Sequence, residues 1–231
     1  MKNEVFILRQ PKYSVISLVF INSELPLKLE QHDKIQDLNS FSDVLFIFPN
    51  TPSIDKNKFT SLYEGCGWIE CGPNLCETYL KTILYSLEIF EKHVGYCLIN
   101  IENIGKVNIV KNIDKIRSIT ASTVTNPIFT IKRLSSQEFY DIYIKSNSGI
   151  FKTKEDTKNM YCSYTSSSNI LYFKRSIAGM FVNFWKSSEN NKYISSFSIQ
   201  DPRYFFASLT KFLEIKTIDS DIESLDIGKL K

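Results

Sequence analysis

The residues best suited to chemistry are few. Cys66, Cys71 and Cys76 stand five apart, and three thiolates joined by a fourth ligand such as His93 would hold a zinc ion. Structural zinc sites pair their ligands about two to four residues apart, so this spacing favours ordinary buried or loop thiols, with no metal and no cofactor. Cys76 falls in the first turn of an expected helix, where the helix dipole lowers a thiol pKa. A cysteine nucleophile also needs a base held against it. The chain offers two histidines, His32 and His93, and neither lies in a local motif.

Phosphate binding calls for a glycine-rich turn whose amides converge at a helix N-terminus. Gly65-Cys66-Gly67 and Gly72-Pro73 match neither the P-loop nor the dinucleotide fingerprint, and turn geometry accounts for them. The pair Glu155-Asp156 sits among lysines in a polar stretch and reads as a solvated loop. The aromatic series Phe181, Phe184, Trp185, Phe205 and Phe206 recurs at helical spacing and reads as core; a base-stacking surface would carry interleaved arginines. With 28 basic against 25 acidic residues and a net charge of +3, nucleic acid is a poor partner. No residue is expected to be catalytic, and the chain is not expected to be an enzyme.

These side chains must be positioned by a chain of 231 residues with 43% hydrophobic and 13% aromatic content, enough to bury a sizeable core. Residues 5–8 and 15–20 read as strands around Pro11, and 44–48 as a buried strand ended by Pro49 and Pro52. From Leu75 the positions Leu75, Tyr79, Leu80, Ile83, Leu84, Leu87 and Phe90 mark one long amphipathic helix. Residues 96–101, 106–110 and 115–120 read as a β-meander, with 128–131 a further strand. A helix over 134–143 has Ser135 and Glu138 in capping-box spacing. Asn169 caps a predicted helix to about Lys186, 193–199 is a strand, Pro202 opens another helix behind Asp201, and 215–218 is a last strand. The chain divides near Leu75 into a strand-rich first lobe (1–74), an alternating second lobe (75–218) and a charged tail (219–231).

The reading is also of a soluble, cytosolic protein. An odd count of five cysteines points to reduced thiols, no window reaches the roughly 18 to 20 apolar residues of a membrane span, and no export signal is visible.

The order in the second lobe resembles the second half of an actin-like (ribonuclease H-like) fold, a two-lobed α/β architecture of mixed sheets flanked by helices. Tyr96-Cys-Leu-Ile-Asn-Ile-Glu-Asn-Ile-Gly-Lys-Val-Asn-Ile-Val110 is similar to that family's second phosphate hairpin, with Asn100 where the family's acidic residue aligns. Residues 176–198 are similar to the helix and strand before its Gly-Gly loop, with Phe197-Ser198-Ile199-Gln200 in place of the glycines. In size the chain is similar to the branch of the pilus-assembly protein PilM and the cytoplasmic domain of the type II secretion protein GspL. The resemblance implies a non-enzymatic cytoplasmic scaffold of a type IV pilus or type II secretion platform. Its partners would be the assembly or secretion ATPase and inner-membrane platform proteins, docked on the first lobe or on residues 145–168. A membrane tether, through a partner or a C-terminal continuation, and a homodimer fit the same picture. The alternative is a nucleotide-binding relative, in which Asn100, Asn103, Ser196 and Ser198 contact the nucleotide, or an unrelated α/β enzyme with degenerate motifs.

Overall fold

Val-Ile-Ser-Leu-Val-Phe is a β-branched and apolar run with no polar face, the pattern of a strand covered on both sides. In the computed structural model it forms β1 (Val15–Phe20), buried at every position but the last, and lies at the centre of the main sheet. The structure describes residues 11–21, 27–49, 55–72, 75–104, 109–135, 164–166, 168, 170–187 and 202–218, with the backbone alone at 103 and 109–112. Around β1 are α1 (Leu29–Asn39), β2 (Asp43–Phe48), α2 (Lys56–Thr60), β3 (Gly67–Glu70), α3 (Leu75–Ile89) and β4 (Gly95–Asn100). After β4 come α4 (Ile101–Ile104), α5 (Ile109–Ala121), β5 (Ile131–Arg133), β6 (Tyr164–Ser166), β7 (Ile170–Lys174), α6 (Arg175–Lys186) and α7 (Pro202–Phe212).

The main sheet runs β3-β2-β1-β4-β7. Its first four strands are parallel, with Leu18 registered against both Leu45 and Leu98. β7 closes the far edge antiparallel to β4, Leu171 opposite Leu98. β1 and β4, from either side of Leu75, are thus neighbours in one sheet. The two-residue period of the strands sorts their side chains cleanly. Val15, Val19, Val44, Phe46, Phe48, Cys97 and Ile99 pack with Ile35 and Leu38 of α1 and Ile113, Ile116 and Ile119 of α5. On the other face Ile16, Leu18, Leu45, Ile47, Tyr96, Leu98, Leu171 and Phe173 meet α3, α6 and α7. Phe181, Trp185, Phe205 and Phe206 are buried in that second layer, as their spacing predicts. β5 and β6 pair as a small separate ribbon, and β6 is held to α7 where Ser208 Oγ donates to the Tyr164 carbonyl at 3.1 Å.

Three sequence readings change. Among the described residues the meander is not formed: its first segment is β4, while 109–110 and 115–120 lie in α5. The isoleucines that suggested strands are spaced three and three apart at 113, 116 and 119, which places them on one helical face against α1 and the sheet. The helix expected from Asn169 begins at Arg175 instead, because Ile170–Lys174 supplies the edge strand. α1 was not anticipated at all. Of the strand over 128–131, Ile128 bridges Tyr172 and Ile218, and the regular strand starts at Ile131; Ile218 makes that single bridge. The readings at 5–8, 136–143, 145–163, 193–199 and the cap Asp201 lie outside the described residues. Without a meander, the arrangement that suggested an actin-like second lobe is lost.

A buried polar cluster fixes the amino end of the sheet. Asp43 is 6% exposed and His93 is fully buried. The Asp43 carboxylate accepts from Lys12 N at 3.0 Å, Tyr13 N at 3.1 Å and His93 Nε2 at 2.9 Å. His93 Nδ1 lies 3.0 Å from Ser86 Oγ, which lies 3.3 Å from the Tyr96 hydroxyl. Arg175 closes the far side, donating to the carbonyls of Phe90 at 2.9 Å and His93 at 3.1 Å, and to that of Leu87, at the end of α3.

Gly95 opens β4 beneath Tyr172, a ring 1% exposed whose hydroxyl is tied to Thr120 Oγ1 at 2.7 Å. A Cβ at position 95 would stand 2.7 Å from both Tyr172 Cε2 and its hydroxyl oxygen. Gly95→Ala is therefore expected to cost about 1–3 kcal/mol by overpacking, read from urea denaturation. In a Tyr172→Leu background the same substitution is expected to cost less, and equal costs in the two backgrounds would show that the ring yields.

Candidate functional site

The order of connections fixes where an open parallel sheet can hold a ligand. From β1 the chain passes through α1 to β2 on one side, whereas β4, reached from β3 through α3, lies on the other. The strand order therefore reverses between β1 and β4, and their carboxyl ends mark a switch point, with the crevice outside them the place where open parallel sheets take ligands. The segments beyond them, α1 and α4, lie on one face of the sheet. Phe20 and Asn100, the last residues of these strands, are registered partners.

One lip is the start of α1. Lys28, exposed, is its N-cap residue; the Gln31 amide donates to the Lys28 carbonyl at 2.9 Å, and the start of the helix carries partial positive charge. Gln31 fixes the geometry. Its Oε1 accepts from Lys28 N at 2.9 Å and its Nε2 donates to the Ile101 carbonyl at 3.2 Å, so it pins the segment entering α1 to the segment leaving β4. The other lip is Asn100, half-buried, whose Oδ1 accepts from Glu102 N at 3.0 Å and so turns the chain from β4 directly into α4. The Ile101 and Ile104 side chains beneath are fully buried. Leu29 stands 77% exposed beside Lys28, an apolar contact offered to whatever enters.

Of the residues singled out as nucleotide contacts, Asn100 lies on this crevice and Asn103 follows it in α4; Ser196 and Ser198 are outside the described residues. Lys28 and Gln31 escaped the sequence reading. Their signal, a lysine and a glutamine opening a polar helix with only Ile35 and Leu38 buried, becomes meaningful only once α1 is known to follow the central strand.

The other candidates are separated. Cys66 packs on the α1 and α5 face, Cys71 and Cys76 on the opposite face, and His93 is engaged with Asp43 and Ser86. His32 bonds the Tyr63 hydroxyl. Neither histidine is set against Cys76 as a base. Among the described residues no three His, Cys, Asp or Glu side chains converge as a metal site. No helix among the described residues is long and apolar enough to cross a membrane.

No protein-family model matches the chain, and no curated protein matches it in sequence. Its fold does match solved structures. A 4-diphosphocytidyl-2C-methyl-D-erythritol synthase from Anaerococcus prevotii superposes with a TM-score of 0.51 at 10% identity, over 92% of this chain and 89% of that one. A second such synthase gives 0.50 at 10% identity, over 93% and 92%. A cytidylyltransferase from Leptospira borgpetersenii gives 0.50 at 10%, over 90% and 75%. The chain is thus a mixed α/β protein with a parallel-dominated sheet flanked by helices, and it shares its fold with these three structures. This overturns the actin-like resemblance to PilM and GspL, and with it the pilus or secretion scaffold. It also removes the ground for expecting a non-enzyme, since the proteins sharing this fold are enzymes by name.

The thiols do report on packing. Burial raises the Cys66 thiol from 9.0 to about 12, helped by the nearby Asp43 charge, and burial raises Cys97 to about 12. Burial also raises the Tyr63 hydroxyl from 10.0 to about 12. In each case the folded state holds its proton more tightly than the unfolded chain. Their contribution is complete below about pH 9 and is lost as pH rises toward 12. Denaturation midpoints are expected to fall progressively above pH 9, and alkylation of Cys66 and Cys97 by iodoacetamide at pH 8 to be far slower in native than in urea-unfolded protein. Fast native alkylation of both would contradict this burial.

Proposed function

We propose that the chain is a nucleotidyltransferase-type enzyme that binds a nucleoside triphosphate in the crevice between the ends of β1 and β4 and transfers its nucleotidyl group to a phosphorylated small-molecule acceptor. The observation that carries the reading is the switch point itself, formed by the β3-β2-β1-β4 order in a fold shared over nine-tenths of this chain with a synthase of a cytidine-diphosphate product. In such a transfer an acceptor phosphate oxygen attacks the α-phosphorus, the bond to the bridging oxygen breaks, and pyrophosphate leaves. The protein's part is to hold attacking and leaving groups in line and to stabilise the charge that spreads over the phosphate oxygens.

This chain's residues suit that part. Lys28 and the first amides of α1 supply positive charge for the triphosphate. The Asn100 carboxamide, set at the end of β4, offers a neutral polar contact to the nucleoside or the acceptor. Gln31 keeps the two lips at a fixed separation without itself carrying charge, and so acts as a positioning residue.

Thermal-shift titration with CTP, ATP, GTP and UTP, each with magnesium, tests the assignment. At a hundredfold excess over its dissociation constant the preferred nucleotide should add about 2.7 kcal/mol of stability, a shift of several degrees. Lys28→Ala is expected to weaken that binding about tenfold, the loss of one charge-assisted contact, with the melting point of the free protein unchanged. Absence of a shift with all four nucleotides would overturn the reading.

A further inference from the structure

The pole of the sheet opposite the crevice holds a groove of about 430 Å³, within the range of small-molecule sites. It is framed where three elements meet: Tyr13 and Ser14 ahead of β1, Phe41 between α1 and β2, and Arg117 and Thr120 in the last turns of α5, with Val94 at its edge. These walls are fixed. The Ser14 carbonyl accepts from Val94 N at 2.8 Å and Gly95 N at 3.1 Å, and the Tyr13 amide is held by Asp43. Thr120 is locked to Tyr172. A ligand would therefore meet a preformed surface with little ordering cost.

The chemistry of that surface is one-sided. Val15, Phe41 and Val94 supply an apolar floor and edge. Above it lies the Arg117 guanidinium, 5.9 Å from the Phe41 ring centroid. Its ion partner among the described residues is Asp114, at 4.0 Å, with the two side chains 57% and 78% exposed; such a pair is weak and readily exchanged. Lys12 lies over the Tyr13 ring at 5.2 Å, Lys92 donates to the carbonyls of Pro11 and Lys12, and Lys174 donates to the Ser122 carbonyl just past α5. The carboxylate behind Tyr13, Asp43, is buried and already accepts three hydrogen bonds. Arg117 is the charged side chain among the residues lining the groove, over a floor of Val15, Phe41 and Val94.

We propose that this groove is a second ligand site, separate from the nucleotide crevice, that takes a small aromatic carboxylate. The ring lies on Phe41, Tyr13 and Val94, and the carboxylate meets the fork of Arg117, whose planar donors match it in bidentate fashion. Lysine at that position would supply charge without the fork, and a purely apolar molecule would leave Arg117 in water. Neither half of the ligand suffices alone.

Titration of the full chain with phenylacetate, followed calorimetrically or by NMR, tests this, with benzyl alcohol and acetate as the two half-ligands. Phenylacetate is expected to saturate one site at or below about 10 mM, with each half-ligand at least about tenfold weaker. Arg117→Met should lower phenylacetate affinity about tenfold or more while leaving the melting point and nucleotide binding unchanged, and Arg117→Lys should restore part of it. No saturable binding of phenylacetate, or equal binding to the Arg117→Met variant, would overturn the proposal. So would half-ligands that bind as well as the whole.

Discussion

The Asp43 carboxylate is the anchor on which the sheet is assembled. A buried carboxyl group is stable only when its oxygens are satisfied, and here the three donors come from two parts of the chain, the segment leading into β1 and the turn between α3 and β4, both meeting the first residue of β2. Each of the central parallel strands β2, β1 and β4 is thereby referenced to one point at its amino end. A one-residue slip of any of them would leave a buried polar group without its partner and turn every side chain of the strand to the wrong layer. Leaving one of these buried groups without its partner costs about 1–3 kcal/mol, a sizeable part of the stability of an ordinary domain.

With the amino ends clamped, the two poles of the sheet differ in kind. At the carboxyl pole lie a helix start and a strand end, with Lys28, Gln31 and Asn100. At the amino pole the segment before β1, the turn after α1 and the end of α5 meet, and Arg117 stands over Phe41. α1 and α5 run between the poles and pack on each other and on the same sheet face through Ile35, Leu38, Ile113, Ile116 and Ile119. Both poles thus share one rigid apolar layer, and both can be preorganised without separate supporting structure.

How much of this could be read from the sequence depended on burial. β1, β2, α3 and α7 were visible because their apolar patterns match one period over their whole length, as in Leu75, Tyr79, Leu80 and Ile83 of α3 or Phe205, Phe206 and Leu209 of α7. α1 was not, because it is mostly charged and turns only Ile35 and Leu38 inward. α5 was misread since isoleucine favours strands by propensity, and the helical spacing at 113, 116 and 119 outweighs that preference only through the tertiary contacts it makes. The order of strands could not be read from local pattern, and the actin-like resemblance failed at that point: similar successions of elements fit several sheets, and only pairing decides between them. Asn100, singled out through that mistaken family, lies at the carboxyl end of β4.

The antiparallel edge carries a consequence for how the molecule is made. β4 can pair with β1 as soon as the first hundred residues have emerged, but its other side is covered only by β7, after residues 101–169 have been synthesised. Through that interval Gly-Tyr-Cys-Leu-Ile-Asn presents an unpaired row of amides and carbonyls on an apolar strand without a single charge, a template for pairing with another nascent chain. Closing so long a loop is entropically slow. Synthesis thus exposes this edge in every nascent chain, and a faster-translated gene for the same protein would shorten the exposure of each chain while crowding more of them together at once.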